Sequence, residues 1–239
     1  MMAEDTYLEW WKDVGMERRP LAVAFDVVET LFSLDALRPK LEAIGLPPES
    51  LEIWFLRTLR DGFALASAGE FRPMLQVAVG ALEVLLHQRG INPDPSTTDD
   101  VLKGLLELPP QADVEPAMQA LRDAGVRMVT LSNSGADMSR TLLERAGLGE
   151  FIERVISVDE VGRWKPHPDP YVHACKTLAI PRERLCLLSA HGWDIFGGRQ
   201  AGLTCGWVSR VEGRLPSYFD PAHVTGATLV EVVGKLLRL

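Results

Sequence analysis

Four short stretches of this 239-residue chain place polar or charged residues directly after apolar runs. In Leu21-Ala-Val-Ala-Phe-Asp-Val-Val, Asp26 closes the run and Thr30 follows shortly after. Burying a bare carboxylate is costly, so an Asp in that position is either paired or put to use. A turn or cap role would explain it equally well. Next, Ser132, Asn133 and Ser134 precede Gly135 and a helical pattern, an arrangement that suits a bound anion or a plain helix cap. Lys165 stands immediately before Pro166 in a loop that also holds Pro168 and Pro170, so its amine is presented in a fixed place. Finally, Ser189 and Asp194 flank Ala-His191-Gly-Trp. A carboxylate, a nearby cation, small hydrogen-bond donors and a second carboxylate are the parts of an active site once they share one location.

The intervening elements must bring them there. Apolar runs of strand length occur at 21–28, 126–132, 154–158, 185–189 and 205–209, and their lack of alternation predicts strands buried on both faces. Helical patterns lie between them. Asp113 is expected to cap a helix ending at Gly125, a second runs from 138 to 146 before Gly147, and Asp169-Pro170 reads as a cap followed by proline in the first turn. A further short helix is expected from about 192 to 200. Strands alternating with helices predict an α/β fold with a Rossmann-like parallel sheet, whose strand ends gather the four polar stretches on one edge.

Residues 34–110 break the alternation, with helical stripes at Leu37, Leu41 and Ile44, across 51–65 and across 74–86. This is read as an all-helical cap domain inserted after the first strand, with the core formed by 20–33 and 111–239 and an N-terminal extension at 1–19. The stretch 92–100 reads as a polar loop.

A net charge of −8 argues against a nucleic-acid backbone as partner. No run of 18 apolar residues predicts a membrane span, and the first 20 residues lack the apolar block of a signal peptide. The three cysteines, Cys175, Cys186 and Cys205, are widely spaced and read as reduced thiols of a cytoplasmic protein.

The motifs D-x-x-x-T-L-F at Asp26, L-S-N at 131–133, V-G-x-x-K-P-H-P at 161–168 and S-x-x-x-W-D ending at Asp194 together resemble those of the haloacid dehalogenase superfamily. The stretch S-V-D-E-V-G-x-x-K-P-H-P is similar to that of its type II 2-haloacid dehalogenases. The resemblance implies a small 2-halo carboxylic acid as substrate and Asp26 as a nucleophile that forms an ester. It further implies that Thr30 orients Asp26, Ser132 and Asn133 bind the substrate carboxylate, and Lys165 keeps Asp26 ionised and balances Asp194. Tyr171 and Ser189 would line the site, and the protein would be a homodimer. Phosphatases of the superfamily carry an acid where Val28 stands and another where Ala190 stands, so the resemblance implies no metal cofactor, with Asp26 and Asp194 left as the ligands should Mg²⁺ bind weakly. The chain departs from the dehalogenase pattern at Val28 (Tyr in the family), Glu29 (Gly), His191 (Asn) and Phe55, which replaces an Arg that cradles the halide. Phe55 and His191 would then touch substrate. A phosphatase and a non-catalytic binding protein remain as alternatives.

Overall fold

The first apolar run becomes strand β1 (Ala22–Phe25), every residue of which is buried. In the computed structural model, which describes residues 19–239, it lies inside a six-stranded sheet with β2 (Arg127–Ser132), β3 (Arg154–Ser157), β4 (Leu185–Ser189), β5 (Thr204–Val208) and β6 (Val224–Gly226). All pairings are parallel and the order is β3-β2-β1-β4-β5-β6. The chain builds outward from β1 on one side and then crosses back to continue on the other. The strand order therefore reverses between β1 and β4, the place where the carboxyl ends of such a sheet open a crevice.

Side chains of β1 alternate between two hydrophobic clusters. Val23 and Phe25 face one that includes helices α5 (Val114–Asp123), α6 (Ala136–Arg145) and α9 (Leu229–Leu236). Ala22 and Ala24 face another that includes α7 (Pro168–Leu178) and α8 (Gly192–Gln200). Helices on both faces explain why the strands read as continuous apolar runs.

Four helices, α1 (Arg38–Ala43), α2 (Ser50–Ser67), α3 (Met74–Gln88) and α4 (Pro95–Gly104), fill the stretch between β1 and α5. The last corrects the loop expected at 92–100: Asp94 accepts a hydrogen bond from the Ser96 N–H at 2.8 Å and Pro95 takes the first turn. Two expected caps move as well. Helix α7 begins at Pro168, capped by His167, whose Nδ1 accepts the Asp169 N–H at 3.2 Å. The Asp113 carboxylate leaves its own helix uncapped and instead accepts from Arg210 Nη2 (2.7 Å) and from the Leu229 N–H at the start of α9 (2.6 Å). Neither β6 nor α9 is foreseen: β6 is three residues long with only Val224 buried and offers no apolar run, whereas α9 carries a helical stripe at Leu229, Val232, Val233 and Leu236. The expected N-terminal extension lies almost wholly outside the described residues.

An aromatic side chain joins the inserted helices to the loop after β3. Trp164, fully buried in the loop after β3, lies against Gly62 of α2 and donates its indole N–H to the Arg72 carbonyl at 2.9 Å. A methyl group at position 62 would sit 2.4 Å from the Trp164 ring. Gly62→Ala should therefore destabilise the protein by about 1–3 kcal/mol, despite a helix-propensity gain of about 1 kcal/mol. Urea unfolding of the two proteins checks this, and a stabilised variant would refute the packing argument.

Candidate active site

Asp26 follows β1 directly, and its N–H continues the ladder by donating to the Leu188 carbonyl of β4 at 3.0 Å. Its carboxylate thus emerges at the strand-order reversal. Oδ1 accepts from Lys165 Nζ at 3.0 Å. Oδ2 accepts from Thr30 Oγ1 at 2.7 Å and Ser189 Oγ at 3.5 Å, and lies 3.1 Å from His191 Nδ1. Thr30 is itself held, since its Oγ1 accepts the Ala190 N–H at 2.9 Å.

Lys165 is fully buried, and its three ammonium hydrogens are all used: on Asp26, on Asp194 Oδ2 at 2.7 Å and on the Leu131 carbonyl at 2.8 Å. Asn133 braces its backbone, accepting the Lys165 N–H at 2.8 Å and donating to its carbonyl at 3.5 Å. Asp194, in the first turn of α8, also accepts from Tyr171 Oη at 2.7 Å. Asp26, Thr30, Lys165, Tyr171, Ser189, His191 and Asp194 therefore form one buried network, as expected of strand-end residues. Ser132 stands at its margin with Oγ accepting the Ser134 N–H at 2.9 Å.

Two further participants complete the site: Glu29, which is not anticipated, and Trp193, whose residue type allows either a wall of the site or core packing. Glu29 Oε2 lies 2.9 Å from His191 Nε2, so the imidazole bridges two carboxylates. Glu29 has φ of +61°, a conformation that suits glycine and costs a residue with a side chain about 1–3 kcal/mol. Trp193 stacks on the His191 ring at 5.2 Å, and its own indole N–H is buried without a protein partner. The signal for Glu29 was present in two departures from the family pattern, at 29 and 191, which nothing in the linear order joins. Phe55, on α2, reaches the same place, with its ring centroid 6.1 Å from that of His191. Arg60 and Arg72 are exposed and paired with Asp61 and Glu70.

The model of the haloacid dehalogenase-like hydrolase family matches residues 20–202. The chain belongs to that family. It is 29% identical to (S)-2-haloacid dehalogenase 1 of Pseudomonas sp. (strain CBS-3), covering 91% of this chain and 97% of the relative. It is 27% identical to haloacetate dehalogenase H-2 of Moraxella sp. (strain B), covering 79% and 85%. The fold is shared with the L-2-haloacid dehalogenase of Xanthobacter autotrophicus solved with chloropropionic acid covalently bound (TM-score 0.84, 24% identity, 92% of this chain and 98% of that one).

In this hydrolase the charges are arranged around Asp26. Burial would raise its pKa, but the Lys165 charge and the hydrogen bonds of His191 and Thr30 outweigh that and hold the carboxyl well below the usual carboxylate range. Asp194 moves the other way, because full burial and the Asp26 charge exceed the help of Lys165 and Tyr171. Burial also opposes protonation of His191, but Asp26 and Glu29 push its pKa up to about 10. Both ring nitrogens then carry protons, one facing each carboxylate.

A divalent metal does not fit this donor set. Mg²⁺ takes oxygen ligands in an octahedron, whereas the Lys165 ammonium already joins Asp26 to Asp194, and buried Val28 and Ala190 offer no further oxygen from their side chains.

The His191 shift has a consequence for stability. Its folded-state pKa is raised, so its contribution is fully present below its ordinary value near 6.5 and is lost as pH rises through about 10. Melting temperature should fall over that window, and His191→Asn should flatten the slope. Equal slopes in the two proteins would place the pH sensitivity elsewhere.

Proposed function

We propose that this hydrolase removes halide from short (S)-2-haloacids through an ester on Asp26. In the first step Asp26 attacks C2 in line, the carbon–halogen bond breaks and halide leaves with the electron pair. Water then attacks the ester carbon of Asp26, releasing the 2-hydroxy acid with inverted configuration. Overall, haloacid and water become hydroxy acid, halide and a proton. Residues 34–110 serve as the cap over this site, and residues 20–33 and 111–239 as its core.

The observation that carries this reading is the buried Asp26 carboxylate clamped by Lys165 at 3.0 Å, with an apolar Val28 where the acid for an alkoxide leaving group would stand. Val28 supplies no proton and Ala190 no metal ligand; halide needs neither. The relatives named as 2-haloacid dehalogenases, one solved with chloropropionic acid covalently bound, support the same chemistry. Thr30 and Lys165 hold the nucleophile, and Ser189 supplements them. Since Ser132 Oγ accepts from Ser134, its own proton is available to the substrate carboxylate. Asn133 has one amide N–H engaged with the Lys165 carbonyl and keeps the other for substrate. No metal takes part, a short 2-halo acid is the substrate, and the protein acts as a homodimer. Among the described residues no helix is long and apolar enough to cross a membrane, and the three cysteines are free and buried, which suits the reducing cytoplasm to which we assign the protein.

Incubation with 2-chloropropionate should release chloride at a rate unchanged by EDTA or added Mg²⁺, while phosphoesters release no phosphate. In one turnover in heavy-oxygen water the label should enter the Asp26 carboxylate before any product. Label in product alone, or a strict Mg²⁺ requirement, would overturn the ester mechanism or the metal-free site respectively.

Phe55 stands where the family resemblance places a halide-binding Arg. A charge-assisted donor acts on the halide as its charge develops, and losing a comparable donor costs about 10²–10³ in rate. The parent protein should therefore be slow, and Phe55→Arg should raise chloride release while Asp26 stays essential. No gain in a well-folded Phe55→Arg protein would show that Phe55 shapes the pocket for another purpose.

A further inference from the structure

We propose that Glu29 and His191 act as a dyad that activates water for hydrolysis of the Asp26 ester, with His191 as catalytic base and Glu29 as its positioning residue. The inference rests on the ester reading above. Its foundation is geometric. His191 Nδ1 lies 3.1 Å from Asp26 Oδ2, and Nε2 lies 2.9 Å from Glu29 Oε2 on the opposite side of the ring. The ring plane is fixed by stacking on Trp193 at 5.2 Å and by Phe55 beyond. Glu29 also borders a cleft of about 370 Å³ lined further by Phe55, Ser33 and Arg210, so the outer end of the dyad opens to solvent. The backbone of Glu29 is held at φ +61°, where its side chain is a cost in itself; the contact with His191 is what that side chain supplies in return.

Before reaction the imidazole is doubly protonated between two carboxylates and has no lone pair to offer, so it holds Asp26 in place. Esterification removes the charge of Asp26. The Nδ1 proton then departs to solvent, which is the proton that accompanies halide in the overall reaction. Glu29 retains the Nε2 proton and so fixes the tautomer whose Nδ1 lone pair faces the ester, the role a carboxylate plays behind a catalytic histidine elsewhere. Water gives one proton to Nδ1 as its oxygen bonds to the ester carbon. When the tetrahedral intermediate collapses, the C–O bond to substrate breaks and the departing alkoxide takes that proton. The second water proton, now on the Asp26 carboxyl, passes to His191 and restores the starting ion pair. The other ionisable groups near the ring are Lys165, across Asp26, and Glu212, which accepts the Gly192 N–H at 2.9 Å.

Rapid-quench kinetics with 2-chloropropionate on folded parent, Glu29→Gln and His191→Asn proteins, their folding checked by circular dichroism, separates the two steps. Both variants should slow ester hydrolysis at least tenfold more than they slow chloride release, and the peptide containing Asp26 should accumulate the substrate mass. The rate of hydrolysis in the parent should rise with pH, and that dependence should vanish in His191→Asn. Equal slowing of both steps with no accumulated ester would overturn the dyad. A second measurement needs no substrate: Asp26→Asn imitates the uncharged ester, and by NMR His191 should titrate at least one pH unit lower in it than in the parent. An unchanged titration would also overturn the proposal. A parent that releases no halide from any 2-haloacid would instead overturn the substrate reading, leaving the titration to decide whether loss of the Asp26 charge frees His191.

Discussion

The Lys165 ammonium, fully buried and bonded to Asp26, Asp194 and the Leu131 carbonyl, is the interaction on which the rest of this structure depends. Two buried carboxylates on neighbouring strand ends would repel each other at high cost, and a missing partner in such a cluster leaves several kcal/mol uncompensated. The cation makes their closeness tolerable, and it does so only if its own position is rigid. Asn133 provides that rigidity from β2, and Tyr171 satisfies the outer oxygen of Asp194 from α7. Contributions from both halves of the sheet thus converge on one nitrogen.

The same arrangement explains the chemistry available. The Asp26 carboxylate is a poor proton acceptor in this setting, and its orientation is set by Thr30, Lys165 and His191. Filling the space between the carboxylates with an ammonium also decides against a metal there. The environment has one adjustable component, His191, whose charge is sustained by Asp26 and Glu29 together. Asp26 and His191 are therefore coupled by electrostatics.

The helical segment is joined to this network by packing. Trp164 stands next to Lys165 in sequence, presses on Gly62 of α2 and is bonded to the Arg72 carbonyl. Helix α2 thus packs directly on the loop that presents the lysine, and it also carries Phe55 to the His191 ring.

Much of this was legible in the linear order. Unbroken apolar runs of strand length, alternating with capped helical patterns, read as strands buried on both faces, so the parallel sheet and the polar strand ends at Asp26, Ser132, Ser189 and the loop at Lys165 are legible in the residue pattern. Elements whose signal is weak escaped: β6 has one buried residue, and α4 begins in a polar stretch whose Asp94-Pro95 start is indistinguishable from a turn. Asp113 has the right residue type for a cap, but a partner 116 residues away, the Leu229 N–H, competes successfully for its carboxylate. Only the tertiary structure decided that Glu29 meets His191, 162 residues later, and that Asn133 braces Lys165. The reason is physical: local pattern reports which face of an element is buried, whereas a hydrogen bond between strand ends depends on which strands become neighbours where the order of the sheet reverses.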